Sequence, residues 1–150
     1  MMSLEALIEG HTFFKGLDVE KVSKIAQFAS ERVFEQDEVI FRQGAEIHQL
    51  YLILNGRVAL EAYSHHNKMI TIQTIGGHEV LGWSWYFPPY HSHFNARAVE
   101  KTNAIAIDAK KLRVLIEKDK EFGNEIEKRI LPIVVHRLEA TMLQLLDVVF

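Results

Sequence analysis

The 150-residue chain contains no cysteine, which excludes disulfides, thiolate nucleophiles and metal sites built on cysteine. It also has no apolar run near the length of about 20 residues that a membrane-spanning helix needs. The start of the chain, with Glu5 and Glu9, does not have the basic leader and apolar stretch of a signal peptide. The sequence therefore predicts a cytoplasmic protein with no membrane partner.

An excess of basic residues is missing as well. The chain carries 17 Lys and Arg against 20 Asp and Glu, a formal net charge of −3. The densest basic pairs, Lys110-Lys111 and Lys128-Arg129, have acidic neighbours, whereas nucleic-acid binding usually needs a clustered basic surface. We therefore expect no direct nucleic-acid binding. The 48% hydrophobic and 25% charged residues are typical of one globular domain, here residues 1–150.

The N-terminal part, residues 1–30, is predicted to be helical. Residues 17–29 carry apolar side chains at helical spacing, with Asp18 suited to the N-cap. Phe13 and Phe14 are expected to attach this part to the body of the domain. The apolar positions are Val22, Ile25, Ala26 and Ala29.

Residues 31–108 have the two-residue period of β-strands. Asn55-Gly56 predicts a hairpin, and 64–67 form a polar tip between two further strands. Short strands with frequent turn signals predict a mainly β fold with flanking helices. The expected architecture is an antiparallel double-stranded β-helix, a jelly-roll or cupin-like barrel, between an N-terminal helix and a long C-terminal helix. The predicted strands lie within 31–41 (two strands), 49–54, 57–63, 68–75, 95–99 and 104–108.

Residues 109–150 are predicted to form two helices, 109–117 and 122–150, with a kink or a fresh start near Pro132. The second helix carries apolar residues alternately three and four positions apart, which is the spacing of a coiled-coil seam. Either this face packs on the barrel of its own chain, or it joins two copies in a homodimer, which we favour. The seam residues are Leu131, Val135, Leu138, Met142, Leu145 and Val149.

The segment from Gly76 to Ala98 concentrates glycine, tryptophan, proline and histidine between two predicted strands. Such a composition indicates a shaped pocket wall or an unusually stiff loop.

Together with motifs spread along the chain, this segment resembles the cyclic nucleotide-binding domain of Crp/Fnr-type regulators. The resemblance covers nearly the whole chain. The matching motifs are Phe14-x-Gly16-Leu17, Val39-Ile40-Phe41-x-x-Gly44, Leu50-Tyr51-Leu52-Ile53-Leu54-x-Gly56-x-Val58, Gly77-x-x-x-x-Gly82, Ala98 and Arg137-Leu138.

The resemblance implies a phosphate-binding cassette, with cAMP or cGMP as possible effectors. In the family, amides of a short helix meet the phosphate, a Glu after the cassette glycine holds the ribose, and an Arg pairs with the phosphate. The glycine corresponds to Gly82, the Glu position to Trp83 and the Arg position to Ser92. Neither polar anchor is present.

The candidate ligand-binding residues are therefore Gly82, Trp83 and Ser84 through their amides, with Ser92 or His93 as the polar partner. Arg97 is a further candidate, since it shares one side of a strand with His93. Alternatively, Trp83, Trp85, Tyr86 and Phe87 fill the pocket themselves. A cyclic nucleotide or similar phosphate, an unrelated small ligand and no ligand all stay open.

The residue patterns that other chemistry needs are incomplete in this sequence. His91-x-His93 is similar to part of a cupin metal site, but the next acidic residue, Glu100, lies too far along the chain, and we predict no metal. Glu79 and Asp108 have no evident partner. The sequence has no nucleophile elbow and no phosphate-binding glycine loop, so an enzyme is not expected. Arg137 is interpreted as a solvated helix charge or as a pairing residue of the dimer helix.

The resemblance thus implies a homodimeric domain that senses a small-molecule effector and signals through the 122–150 helix. The family's DNA-binding helix-turn-helix module would begin after Phe150, so we expect either a stand-alone regulatory domain or one whose output comes from a separate protein. The alternatives are a protein interaction module with a degenerate pocket and a cupin-like metal-binding protein.

Overall fold

The structure, a computed structural model, describes residues 2–149, with side-chain surroundings for residues 2–146. The helices are α1 (Leu4–Gly10), α2 (Val19–Ala26), α3 (Ala109–Lys118) and α4 (Lys120–Val149), with a 3₁₀ turn at Trp83–Trp85. The strands are β1 (Ala29–Phe34), β2 (Val39–Phe41), β3 (Gln49–Asn55), β4 (Arg57–Tyr63), β5 (Met69–Gly76), β6 (Val80–Leu81), β7 (Asn95–Ala98) and β8 (Thr102–Asp108).

The strands form two antiparallel four-stranded sheets, in the orders β1-β8-β3-β6 and β2-β7-β4-β5. This confirms the predicted mainly β, jelly-roll-like fold with flanking helices. β3 is buried on both faces, which explains its continuous apolar sequence. Tyr51 and Ile53 face the second sheet, whereas Leu50 and Leu52 pack under the helices.

The hairpin predicted at Asn55-Gly56 is wrong. β3 and β4 lie in different sheets, so this turn carries the chain from one sheet to the other. Gly56 has φ +102°, and a Cβ added there would lie 2.6 Å from the Cα of Thr102. The same residue pattern serves a hairpin and a sheet crossing, because both need a backbone with positive φ. The hairpin predicted between β4 and β5 does form, with its tip at 64–67.

The N-terminal helical part is confirmed in outline. Asp18 accepts a hydrogen bond from the Glu20 amide at 3.2 Å and caps α2, as predicted. Phe13 and Phe14 are buried in the core beneath the helices. Ala29, however, belongs to β1 and pairs with Ile107, because strand pairing with β8 takes over where α2 ends.

The C-terminal helix α4 is continuous through Pro132, so the alternative of a fresh start is wrong. Proline removes one N–H from the helix and leaves the carbonyl of Lys128 without its usual partner. Both residues are exposed, so water can solvate that carbonyl. At 1.5 Å per residue, the 30 residues of α4 extend about 45 Å.

Among the described residues, no helix combines the length and apolarity that crossing a membrane requires.

Candidate functional site

The predicted pocket wall begins with a short strand and a sharp turn. β6 pairs with β3, and the chain then turns at Gly82, whose φ is +96°. The first hydrogen bond of the following 3₁₀ turn runs from the Trp85 amide to the Gly82 carbonyl at 3.0 Å. Since a 3₁₀ turn pairs residues three apart, the amides of Gly82, Trp83 and Ser84 have no earlier carbonyl in that turn.

The far end of the segment is fastened to the loop before β3. The Ile47 amide donates to the Tyr90 carbonyl at 2.7 Å, and the Ser92 amide donates to the Ala45 carbonyl at 2.8 Å. From α3, Arg113 donates to the Trp85 carbonyl at 2.8 Å and lies 3.9 Å from the centre of the Tyr90 ring. The segment is therefore a braced wall with both ends tied to the barrel.

A cavity of only about 10 Å³ lies behind this wall, enough for about one water molecule. Side chains thus fill nearly all the space behind the wall, in line with the interpretation that aromatic rings occupy the pocket. Of the four aromatic residues expected to do so, only Trp83 lines it; Trp85 is fully buried in the core beneath the helices. The lining residues are Phe41, Leu60, Leu81, Gly82, Trp83, Ser84, Ser92, Phe94 and Arg137.

The structure brings Gly82, Trp83, Ser84 and Ser92 together, as predicted from the sequence. The Ser92 hydroxyl donates to the Phe94 carbonyl at 2.6 Å and accepts from the Phe94 amide at 3.1 Å, so it is used within its own turn. His93 lies outside the cavity. Its exposed ring stacks on Trp83 with ring centroids 5.7 Å apart.

Arg97 does not reach this cavity. Along β7, Ala96 and Ala98 take the inward positions, which directs Arg97 to the outer face of the sheet. There it donates to both carboxylate oxygens of Glu61, at 3.2 and 3.1 Å, and to Asp37 at 2.9 Å. Hydrogen bonding to Glu61 is the main cause that raises the pKa of Arg97. The structure thus gives Arg97 carboxylate partners instead of a place at the site.

The charged residue at the cavity is Arg137, which sequence reasoning did not place there. Arg137 is only 6% exposed, so its interpretation as a solvated helix charge is wrong. Nη2 donates to the Val80 carbonyl at 3.1 Å, whereas Nε is buried without a partner among the described residues. Burial lowers the pKa of Arg137, and the nearby Glu79 carboxylate opposes that shift. The only sequence signal was the Arg137-Leu138 motif.

The apolar seam of α4 faces away from the body of the domain. Its five described members, Leu131, Val135, Leu138, Met142 and Leu145, are each at least 50% exposed, and Val149 lies outside the residues whose side chains are described. The interpretation that this face packs on its own barrel is therefore wrong. The inward face is instead formed by Phe122, Ile126, Ile130 and Arg137.

The residues considered for other chemistry are structural. Glu79 accepts a hydrogen bond from the Gly76 amide at 2.6 Å, and Asp108 caps α3 by accepting from the Lys111 amide at 2.9 Å. His91 lies in an isolated β-bridge with Glu46. Within the described part of the chain, no three histidine, aspartate or glutamate side chains cluster as a metal site would require.

Comparisons with known proteins agree with this geometry. The sequence pattern of the family "Cyclic nucleotide-binding domain" matches residues 31–119. The cyclic AMP receptor protein of Thermus thermophilus is 27% identical over 135 residues, which are 90% of this chain and 57% of that relative. The chain thus spans little more than half of that protein's length.

Two solved structures are similar throughout the fold. One, a Geobacter metallireducens GS-15 protein described as a cyclic nucleotide-binding protein, has a TM-score of 0.81 and 28% identity, covering 92% of this chain and 99% of the other. The catabolite activator protein of Thermus thermophilus has a TM-score of 0.71 and 25% identity, covering 92% of this chain and 62% of the other. The chain belongs to the cyclic nucleotide-binding domain family.

Proposed function

We propose that this regulatory domain binds a small phosphate-bearing effector, with cAMP and cGMP as the first candidates, behind the wall formed by residues 82–92. Binding is transmitted through α4 of a homodimer to a separate output protein. The domain works by binding and not by catalysis, in the cytoplasm, without contacting nucleic acid or membrane itself. The observation that carries the proposal is the buried, incompletely paired guanidinium of Arg137.

A guanidinium group has five N–H donors, and in Arg137 the described residues accept from Nη2 alone. Burying a cation with so few partners costs free energy, which a bound anion would recover. Hydrogen bonds between a guanidinium and a phosphate are among the strong ones in proteins. Arg137 therefore supplies from α4 the positive charge that is missing at Ser92, next to the amides of Gly82, Trp83 and Ser84.

Because the cavity is small, the effector must bind a more open conformation. Trp83 forms the outer wall and stacks on the exposed His93, and neither residue belongs to the buried core, so the opening we propose is an outward movement of this pair. A ligand that binds only the open form shifts the population toward it and binds more weakly in proportion to the rarity of that form. Removal of the indole should therefore raise the affinity.

The helix α4 connects the site to the proposed dimer. Arg137 lies at the cavity on one side of α4, and Leu138 belongs to the exposed seam. A ligand that moves Arg137 must move the seam with it, because both are on the same rigid helix. The homodimer is supported by that seam of half-exposed apolar residues at coiled-coil spacing.

The test is a set of thermal unfolding curves with cAMP, cGMP and, as a non-cyclic control, 5′-AMP. For wild type we expect one cyclic nucleotide to stabilise the domain, by about 2.7 kcal/mol at 100 times its Kd. Trp83→Ala should bind more tightly and Arg137→Met at least tenfold more weakly, whereas the exposed-site control Arg42→Gln should match wild type. A flat response of wild type and Trp83→Ala to both cyclic nucleotides would contradict the proposal.

The packed cavity favours a second candidate, a ligand-independent interaction module. In that case the seam of α4 would still associate, while no nucleotide would change the unfolding curve of any variant. Sedimentation of the protein beside the same titration separates the two functions.

A further inference from the structure

A second and much larger pocket lies on the helix side of the domain. It has a volume of about 320 Å³, at the lower end of the range of about 300–1,000 Å³ typical of small-molecule sites. Its walls are the loop at Thr12-Phe13, residues 78–80 and the inward face of α4 around Ile133 and Arg137. We call it the helix-side pocket. None of the residues predicted from the sequence to bind a ligand lines it.

The lining combines an apolar body with basic groups. Phe13, Val80 and Ile133 supply apolar walls, and the basic or titratable side chains are those of His78, Arg129, His136 and Arg137. Glu79 is the single acidic residue of the lining, and its carboxylate already accepts a hydrogen bond from the Gly76 amide. An apolar ligand with one negative charge fits this lining.

Both arginines of the pocket have a buried Nε without a partner among the described residues. Arg129 is otherwise engaged, since its Nη1 donates to the Phe13 carbonyl at 2.6 Å and its Nη2 to Glu125 at 3.0 Å. Among the described residues, Arg137 donates only to Val80. Arg129 therefore fixes the wall of the pocket, and Arg137 keeps donors for a ligand.

The wall is held in place before any ligand arrives. The His11 ring is buried, with Nε2 3.2 Å from the Ile53 carbonyl, and its Nδ1 accepts from the Phe13 amide at 3.1 Å. These bonds and the Arg129 contact hold Phe13 from two sides. A pocket formed in advance spares a ligand the cost of ordering it.

The pocket also stays open in the proposed dimer. Successive α-helical residues are about 100° apart around the axis, so Ile133 is rotated by about 200° from Leu131. The pocket wall and the apolar seam are thus on opposite faces of α4.

We propose that the helix-side pocket binds a small monocarboxylate with an apolar body, its carboxylate held by Arg137. Since Arg129 is already paired with Glu125, one guanidinium with available donors on a largely apolar wall suits a monoanion, because a phosphate dianion would lose more hydration than one cation repays. Arg137 borders both this pocket and the cavity behind residues 82–92. A ligand in either site therefore alters the affinity of the other, by the same factor in both directions. The pocket itself does not depend on the proposed nucleotide site.

The test is an NMR titration of the ¹⁵N-labelled protein with benzoate and octanoate, with uncharged benzyl alcohol as the control. We expect saturable shifts at residues 12–13, 78–80 and 133–137 with at least one carboxylate, and at least tenfold weaker binding of benzyl alcohol. The pocket-filling variant Ile133→Trp and the variant Arg137→Met should each weaken carboxylate binding at least tenfold. Thr12→Trp fills the pocket from an exposed position and serves if Ile133→Trp does not fold. Lys128→Trp, an exposed residue of α4 outside the lining, should bind like wild type.

Shifts that do not saturate, equal binding of benzyl alcohol, or carboxylate binding unchanged in Thr12→Trp and Arg137→Met would each overturn the proposal. The result is independent of the nucleotide titration, because carboxylate binding is read on the protein without nucleotide.

Discussion

Arg137 on α4 donates through Nη2 to the Val80 carbonyl at 3.1 Å. Val80 belongs to β6, two residues before the turn at Gly82, so this bond ties the long helix to the base of the braced wall. A sideways movement of α4 therefore acts on the wall directly. The same residue borders both cavities, which makes it a physical connection between the two proposed ligand sites and the helix.

The first prediction concerns the cost of keeping Arg137 buried. Replacement of a buried charge by an apolar residue of similar volume is often neutral or stabilising, and the Val80 carbonyl loses only one hydrogen bond. We expect Arg137→Met to change the free energy of unfolding by no more than about 1 kcal/mol, while ligand binding weakens at least tenfold. Urea unfolding beside Arg42→Gln measures this. A decrease in the free energy of unfolding of more than about 3 kcal/mol would show that Arg137 mainly stabilises the fold.

The second prediction tests the seam. Leu138 is 58% exposed in the single chain, and a charge placed there would be buried in a dimer joined through this face. We expect Leu138→Glu to be monomeric in sedimentation where wild type is dimeric. Leu143→Glu is the matched control, because Leu143 is similarly exposed, at 64%, but lies off the seam. If Leu138→Glu has the same mass as wild type, the seam does not join the two copies, and the proposed signalling through it is contradicted.

The third prediction concerns pH. Burial is the main cause that lowers the pKa of His11, outweighing its hydrogen bond to Ile53. Below about pH 6.5 the unfolded chain therefore binds a proton that the folded protein resists. The contribution of the neutral ring is complete above that pH and is lost on acidification, by at most about 1.4 kcal/mol per pH unit.

The measurement is the free energy of unfolding at pH 7.5 and 5.5. We expect His11→Gln to be less stable than wild type at pH 7.5 and to lose less between the two values. His65→Gln, at an exposed position of the β4–β5 tip, should follow wild type. An equal loss in His11→Gln and wild type would assign the acid sensitivity to another group.

The fourth prediction concerns the sheet crossing at Gly56. An alanine there must adopt a left-handed backbone, which costs about 1–2 kcal/mol, and its Cβ would overlap the backbone of Thr102. We expect Gly56→Ala to lower the free energy of unfolding by more than about 3 kcal/mol. Gly10→Ala has open space around the added carbon and should stay within about 1 kcal/mol of wild type. Equal thermal unfolding of the two variants would contradict the crossing geometry.

Local patterns predicted most of the secondary structure. The Asp18 cap, the strand at 49–54 and the amphipathic helix at 109–117 depend on neighbours within a few residues, and each forms close to its predicted position. The turn at Asn55-Gly56 shows the limit of prediction from local patterns. Local geometry dictates a turn there, but which strands the turn joins depends on pairing between β3 and β8, far apart in sequence.

The site divides in the same way. From the resemblance we predicted a pocket wall at residues 82–92 with Ser84 and Ser92 near each other. The two serines do lie together, because one continuous segment with fixed ends carries both. The resemblance did not reveal that Ser92 is used within its own turn or that Arg97 pairs with Glu61, since those are contacts across a sheet and around a bend.

The sequence by itself determined the order of the helices and strands apart from α1 and β6, the absence of cysteine chemistry, and an apolar stripe along the last helix. Only the tertiary structure decided that this stripe faces outward and that Arg137 is buried beside two cavities. The reason is physical: periodicity fixes which residues share a face of a helix, whereas the direction of that face is set by the packing of Phe122, Ile126 and Ile130 against the distant barrel.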